Sequence, residues 1–192
     1  MLRVTVRKTQ VAVSVGFPAV VAALCYFDKT GSAAMCLYAA LLHEAAHVVV
    51  LHLCGSYART LTFGAFGMRM ELPLLSYTAA ATVAAAGPLC NLLFAALSAC
   101  CGWRVSLLAH VALGLFNALP VYPLDGGQVL FCIAANTRGE HAAKTLCRFT
   151  SLAVIVPLFA AAWWLLWSTG YNASLFLLCG YLVFLLFFGK KH

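Results

Sequence analysis

The sequence predicts an all-α polytopic membrane protein, with six transmembrane helices and a short strand-like segment between the second and third. Hydrophobic residues make up 64% of the 192 residues and charged residues only 9%. A soluble domain carries roughly 25% charged residues, because its surface must stay hydrated. Several stretches also reach the ~20 mainly apolar residues that a spanning helix needs. We therefore expect a single membrane domain over residues 1–192.

Six stretches qualify as spans. The first covers residues 11–27, after a basic start, and we interpret it as an uncleaved helix. The second covers residues 33–54 and the third, which is rich in alanine, residues 77–101. The fourth starts near Val105 and loses helical character around Pro120 and Pro123. The fifth covers residues 150–168 and the sixth residues 173–188.

The connection between the second and third spans has a different pattern. It reads GSYARTLTFGAFGMRMELP over residues 55–73, with apolar and polar residues in partial alternation among glycines. Such alternation predicts short strands. Unpaired strands cannot face lipid, so these should lie at the interface or pair inside the bundle. The alternative is a plain cytoplasmic loop.

The distribution of basic residues predicts the orientation. With a cytoplasmic N-terminus, ten Lys and Arg residues fall on the cytoplasmic side, and only Lys29 and Arg104 fall outside. This positive-inside bias predicts that both termini are cytoplasmic. We expect a multi-pass protein of the bacterial inner membrane, in contact with the lipid bilayer.

Charge and cysteine content argue against nucleic-acid binding and against a disulfide framework. The net charge is +7, but the twelve basic residues are dispersed and form no dense patch, so no nucleic-acid partner is expected. The nine cysteines are odd in number and contain no C-x-x-C pattern, so they are interpreted as small buried hydrophobic residues.

The second span contains the most informative polar residues, His43-Glu44-Ala45-Ala46-His47. Residues four apart share one face of a helix, so both imidazoles can bind one metal ion. Glu44 beside them can act as a general base. The alternative is a polar packing cluster inside the bundle.

A catalytic zinc site needs a third protein ligand. His52 follows His47 by five residues and faces away from it. The span assignment puts His110 near the external surface, whereas Asp125, like His43 and His47, lies toward the cytoplasm. Depth therefore favours Asp125.

The segment around Asp125 is unusual for a membrane helix. Pro120 and Pro123 interrupt the helix, and Gly126 and Gly127 free the backbone after the acid. Broken helix is tolerated within a membrane where it lines a cavity or is buried in protein. The alternative is a helix end with a turn at the interface.

These motifs together resemble the site-2 protease family of intramembrane zinc metalloproteases. The resemblance covers roughly residues 33–130 and rests on the H-E-x-x-H motif, on Gly87-Pro88-Leu89-Cys90-Asn91, and on Asn117-x-x-Pro120-x-x-Pro123-Leu124-Asp125-Gly126-Gly127. It implies one zinc per chain with His43, His47 and Asp125 as ligands, and Glu44 as the catalytic base. It also implies that Asn117 helps to hold the substrate.

For Gly87 and Asn91 two interpretations stay open, contact with the substrate or close packing of small residues between helices. The arrangement of spans is most similar to the bacterial branch that processes a sporulation sigma-factor precursor. The regulatory domains that occur in other members have no counterpart in this chain. The expected function is regulated intramembrane proteolysis of a membrane-associated protein, such as a sigma-factor precursor or another regulatory protein, with regulatory membrane proteins as further partners.

Two other classes of function also fit the motifs. A metal transporter would use the intramembrane His and Asp residues as a transit site, but it gives Glu44 no special role. A catalytically inactive scaffold would bind membrane helices without cleaving them. A Glu44→Gln variant that retains zinc but loses cleavage separates the protease from both.

Overall fold

The computed structural model describes residues 2–6, 9–28, 30–64, 67–71, 73–169, 179–180 and 182–183. The elements, in chain order, are β1 Leu2–Val6, β2 Thr9–Val13, α1 Gly16–Phe27, α2 Ser32–Leu53, β3 Thr60–Gly64, β4 Gly67–Glu71, α3 Tyr77–Cys100, α4 Arg104–Ala118, α5 Asp125–Arg138 and α6 Glu140–Thr169. The chain divides into two compact units, residues 1–116 and 117–192.

A four-stranded sheet with the order β1-β2-β3-β4 belongs to the first unit. β3 and β4 form an antiparallel hairpin, which confirms the strands predicted between the second and third spans. β1 and β2 form a second hairpin, and β2 pairs in parallel with β3, from Gln10↔Thr60 to Val13↔Phe63. Pairing in the sheet satisfies backbone N–H and C=O groups in the basic N-terminal segment. The local sequence pattern did not predict strands there.

The prediction of a first span over residues 11–27 was therefore wrong at its start. Residues 11–13 belong to β2, and α1 begins only at Gly16. Twelve helical residues extend about 18 Å, which is less than the ~30 Å hydrocarbon core. The all-helical description is corrected in the same way, because the mostly helical fold includes this sheet.

The helices predicted for the second and third spans are confirmed almost to the residue by α2 and α3. Before α2, the Asp28 carboxylate accepts hydrogen bonds from the backbone N–H groups of Thr30 and Ala33, at 3.0 and 2.7 Å. Ser76 caps α3 by accepting a hydrogen bond from the backbone N–H of Ala79 at 3.3 Å. Each helix thus begins where a side chain satisfies N–H groups that lack an intrahelical partner.

The sheet packs against these two helices through a small apolar core. Leu51 of α2, Val83 of α3 and the intervening Ala58 are buried together, with Leu61 and Met70 of the hairpin packed against them. This packing places the hairpin next to the core that includes Val83, whose carbonyl accepts a hydrogen bond from His47.

In the second unit, the chain departs further from the predicted spans. α4 ends at Ala118, two residues before Pro120, as predicted, but α5 then begins at Asp125 and was not predicted. α6 begins at Glu140, ten residues before the predicted start of the fifth span, and packs against α5. Most of the predicted sixth span lies outside the described residues.

Among the described residues, α2, α3 and α6 are long and apolar enough to cross a membrane, and α4 is a shorter apolar helix. Large apolar side chains remain exposed on these helices, including Leu89 and Leu93 of α3 and Trp164 and Trp167 of α6. Such surfaces suit contact with lipid. The predicted number of six spans is not reached by the described helices.

Candidate metal centre

The two histidines of the H-E-x-x-H motif lie side by side on the buried face of α2. His43 is 5% exposed and His47 is 6% exposed. Their Nε2 atoms face each other at 3.2 Å, and the two rings meet edge to face. The i, i+4 spacing thus produces the convergent pair of nitrogens that the sequence predicted.

The separation of these nitrogens fits zinc. Two imidazoles bound at Zn–N distances of about 2.0–2.1 Å in tetrahedral geometry place their nitrogens about 3.3 Å apart. The observed 3.2 Å meets this requirement without any movement of the rings.

The other ring nitrogen of His47 fixes its tautomer. His47 Nδ1–H donates a hydrogen bond to the backbone carbonyl of Val83 in α3, at 2.7 Å. A carbonyl can only accept, so Nδ1 carries the proton and the lone pair lies on Nε2. This is a common outer-shell arrangement of a metal-binding histidine.

Gly87 of α3 leaves the space in front of the two imidazoles open. A Cβ atom at this position would lie 2.7 Å from His43 Nε2 and closer still to His47 Nε2. Real Cβ atoms essentially never approach other heavy atoms within 3.0 Å. Only glycine therefore allows α3 to pass the nitrogens of both histidines at this distance. The predicted substrate contact of Gly87 stays a prediction.

Asn91 lies one turn further along α3 and is completely buried. Its carboxamide bridges two histidines, with Asn91 Nδ2 donating to His43 Nδ1 and His110 Nδ1–H donating to Asn91 Oδ1, both at 3.1 Å. The carboxamide is thus engaged at both ends inside the first unit. Its predicted role in substrate binding stays a prediction.

His110 is the residue that sequence reasoning misplaced. The span assignment put it near the external surface, apart from the metal-binding pair, whereas it is completely buried and one carboxamide away from His43. Close approach of α4 at Gly114 makes this possible, because a Cβ there would lie 3.1 Å from Asn91 Cβ. The available sequence signal was a histidine within an apolar stretch, four residues before Gly114.

Two other predicted residues lie on α2. Glu44 follows His43 directly and is half-buried, about 100° further around the helix. His52 is exposed, with its ring 4.9 Å from that of Tyr57, which confirms that it faces away from the histidine pair.

Asp125 belongs to the second unit, where it is the first residue of α5 and half-buried. The preceding segment is held by a hydrogen bond from the Tyr122 backbone N–H to the Oγ of Ser151, a buried residue of α6, at 2.9 Å. Gln128 Nε2 donates to the carbonyl of Pro123 at 3.1 Å. The acid is therefore presented at a fixed helix start and not on a loose loop.

The two glycines after Asp125 are required by close packing. A Cβ at Gly126 would lie 2.6 Å from the Leu119 carbonyl oxygen, and one at Gly127 would lie 2.5 Å from that of Val121. They allow α5 to start against the end of α4. Asn117 is the penultimate residue of α4 and is half-buried.

Comparison with known proteins agrees with this chemistry. A family model described as Peptidase family M50 matches residues 102–160. The chain is 37% identical over 145 residues to the putative zinc metalloprotease Rip3 of Mycobacterium tuberculosis, in strains Erdman and H37Rv. The alignment covers 65% of this chain and 35% of each relative. The chain thus spans about a third of the length of these curated relatives.

Among solved structures, the site-2 protease from Methanocaldococcus jannaschii matches with a TM-score of 0.71 and 15% identity, over 100% of this chain and 95% of that one. At this identity the match shows a common fold.

The chain is similar to a site-2 protease in fold, and to zinc metalloproteases in sequence over part of its length. The apolar helices α2, α3 and α6 of this chain indicate a membrane protein. Similarity to the sporulation branch stays a prediction.

Proposed function

We propose that this site-2 protease homologue is an intramembrane zinc metalloendopeptidase that hydrolyses a peptide bond within or next to a transmembrane segment of another protein. The observation that carries the proposal is the pair of Nε2 atoms 3.2 Å apart on the buried face of α2, with Glu44 next to His43 in the sequence. Two convergent imidazoles at this spacing can share one zinc ion.

We assign the third protein ligand to Asp125 and expect one zinc per chain. The support is chemical: a carboxylate is a common third ligand beside two histidines in catalytic zinc sites. The rigid start of α5 also presents Asp125 without the entropic cost of ordering a loop. When bound, zinc would supply a Lewis acid that polarises the scissile carbonyl and lowers the pKa of water.

Glu44 is assigned the role of general base. Its carboxylate would take a proton from the attacking water and deliver it to the nitrogen of the leaving amine. A half-buried carboxylate next to His43 is suited to this task, because it lies beside the metal ligands without replacing them.

The substrate would bind in extended form. A helical substrate hides its peptide bonds in hydrogen bonds, so the cleaved segment must first unwind. β4 ends the described sheet and could receive such a segment by strand addition. Met70 of β4 packs against the apolar core that includes Val83, whose carbonyl accepts the hydrogen bond of His47. Asn117 would bind the substrate backbone with its carboxamide.

The physiological setting is proposed as well. The distribution of basic residues supports a multi-pass protein of the bacterial cell membrane with both termini in the cytoplasm. A membrane-associated regulatory protein, such as a sigma-factor precursor, would be the substrate, and regulatory membrane proteins would be further partners.

The test is cleavage in liposomes that contain the full-length protein and a tagged membrane-spanning substrate. Glu44→Gln should retain zinc and lose at least about a hundredfold in rate, because general-base catalysis contributes 10²–10⁴-fold. Glu140→Gln is the matched control, since Glu140 is exposed and pairs with Lys144 at 3.4 Å; it should cleave normally. Wild-type activity in Glu44→Gln would refute the assignment. Zinc flux without cleavage in the wild type would favour a transporter, and binding of the substrate without either would favour a scaffold.

A further inference from the structure

Three buried side chains form a hydrogen-bonded series that begins at His43 on α2 and ends on α4, within the first unit. It runs from His43 through Asn91 to His110, with both hydrogen bonds at 3.1 Å, and Asn91 and His110 are completely buried. Phe94 stacks on the ring of His110 at 5.4 Å, and Tyr38 meets it edge-on at 6.5 Å. The aromatic surroundings keep the polar chain away from water.

The direction of these hydrogen bonds decides where His43 carries its proton. Asn91 Nδ2 donates to His43 Nδ1, so Nδ1 holds a lone pair and the proton of the neutral ring is on Nε2. His43 Nε2–H then donates to His47 Nε2, whose lone pair is fixed by the bond from His47 to Val83. This arrangement puts a proton between the two nitrogens that a metal ion would use.

Rotation of the Asn91 carboxamide by 180° reverses the direction without moving the partners. Asn91 Oδ1 would then accept from His43 Nδ1–H, which leaves a lone pair on His43 Nε2. Asn91 Nδ2 would donate to His110 Nδ1, so His110 would carry its proton on Nε2. Each ring is neutral with one proton before and after, and the change is balanced.

His110 can accept this change. Its Nε2 has no hydrogen-bond partner in the part of the chain that the structure describes, so protonation there breaks no existing bond. Nε2 lacks a partner among the described residues in either tautomer, so the change adds no further unpaired group.

We propose that His110 is a positioning residue for metal binding: acting through Asn91, its tautomer determines whether His43 presents a lone pair or a proton to the metal. The inference rests on the proposed zinc site at His43 and His47 but assigns a function to a residue outside it. Outer-shell partners that fix a histidine tautomer typically change metal affinity by about 10–100-fold.

The first experiment measures zinc affinity of the full-length protein by competition with a chelator. His110→Phe leaves Nδ2 of the rotated Asn91 carboxamide without an acceptor and should weaken zinc binding about 10–100-fold. Ser106→Ala is the matched control, because it deletes another buried α3–α4 hydrogen bond, between Ser98 and Ser106 at 2.7 Å, and should bind zinc normally. Adding Asn91→Asp to His110→Phe should recover affinity, since either carboxylate oxygen accepts from His43 Nδ1–H.

The second experiment uses the unmodified protein and does not depend on the folding of variants. With ¹⁵N-labelled histidine, NMR should show His110 protonated at Nδ1 in the chelated protein and at Nε2 in the zinc-loaded protein. An unchanged tautomer on zinc loading, or normal affinity in His110→Phe, would overturn the inference while leaving the proposed function intact. Absence of zinc binding by the wild type would refute the proposed function itself.

Discussion

Gly87→Ala should weaken zinc binding while leaving the helices folded. The added Cβ would lie 2.6 Å from His43 Cε1 and 2.7 Å from His43 Nε2. Ordinary van der Waals contact begins at 3.4 Å, so the overlap is 0.7–0.8 Å. Both of these atoms belong to the buried ring of His43. The neighbouring ring of His47 is also buried and is held by its hydrogen bond to the Val83 carbonyl. The rings must therefore turn or α3 must shift.

The magnitude follows from the cost of overpacking. Inserting a carbon into a tightly packed site costs about 1–3 kcal/mol, and 1.4 kcal/mol is a tenfold change in affinity, so zinc should bind roughly 5–150-fold more weakly. Alanine also favours a helix over glycine by ~1 kcal/mol, which offsets part of the strain in the zinc-free protein. The loss should thus appear in metal affinity more than in stability.

The assay is chelator competition for zinc, with helix content measured by circular dichroism. Gly114→Ala provides a graded comparison, because its Cβ would lie 3.1 Å from Asn91 Cβ and demands a shift of only a few tenths of an ångström. It should weaken zinc binding less than Gly87→Ala does. Wild-type zinc affinity in Gly87→Ala, with helix content preserved, would refute the reasoning.

Three further outcomes are expected. Asp125→Ala should not retain zinc at concentrations that saturate the wild type, as measured by metal analysis after dialysis; undiminished occupancy would remove Asp125 from the ligand set. Asn117→Ala should slow substrate cleavage while zinc content stays constant, and loss of zinc would make Asn117 a support of the metal site instead. Desolvation raises the pKa of Asp28, but hydrogen bonds from Thr30 and Ala33 lower it more, so the net pKa is depressed. Its stabilising contribution is present above the unfolded-state pKa of ~3.9 and is lost as pH falls further. The difference in melting temperature between wild type and Asp28→Asn should therefore shrink below about pH 4; a constant difference would contradict this.

The parts of the fold that sequence predicted well depend on local signals. α2 and α3 are long apolar stretches with clear ends, and the hairpin of β3 and β4 is marked by alternation between glycines. The N-terminal hairpin depends on the parallel pairing of Val11 with Leu61, fifty residues away. No local pattern contains that pairing, and the apolar strand β2 was therefore merged with α1.

The unpredicted helix α5 has a different cause. Gly126 and Gly127 were interpreted as freeing the backbone, which disfavours helix. In the structure they are helical, because any side chain there would collide with the carbonyl oxygens of Leu119 and Val121. The glycines serve close packing at the helix start, and only the tertiary contact distinguishes this from flexibility.

The same distinction applies to the site. The H-E-x-x-H spacing predicted the paired imidazoles, because one helix turn determines their geometry. His110 and Gly87 could not be placed in this way, since their roles depend on how α3 and α4 approach α2. The expected depth of His110 in the membrane depends only on its position along α4. Its actual neighbours depend on the contacts between helices at Asn91 and Gly114.

The structure thus separates two requirements for metal binding in an apolar helix bundle. Space for the ion is provided by Gly87, whose missing side chain leaves room in front of both Nε2 atoms. The correct proton distribution depends on the Nδ1 atoms, which bond to the Val83 carbonyl on one side and to Asn91 on the other. A carbonyl fixes the tautomer of its histidine permanently, whereas a carboxamide permits either direction. The His47 side is consequently set by the backbone, and the His43 side is the one through which a single substitution in α4 can change metal affinity.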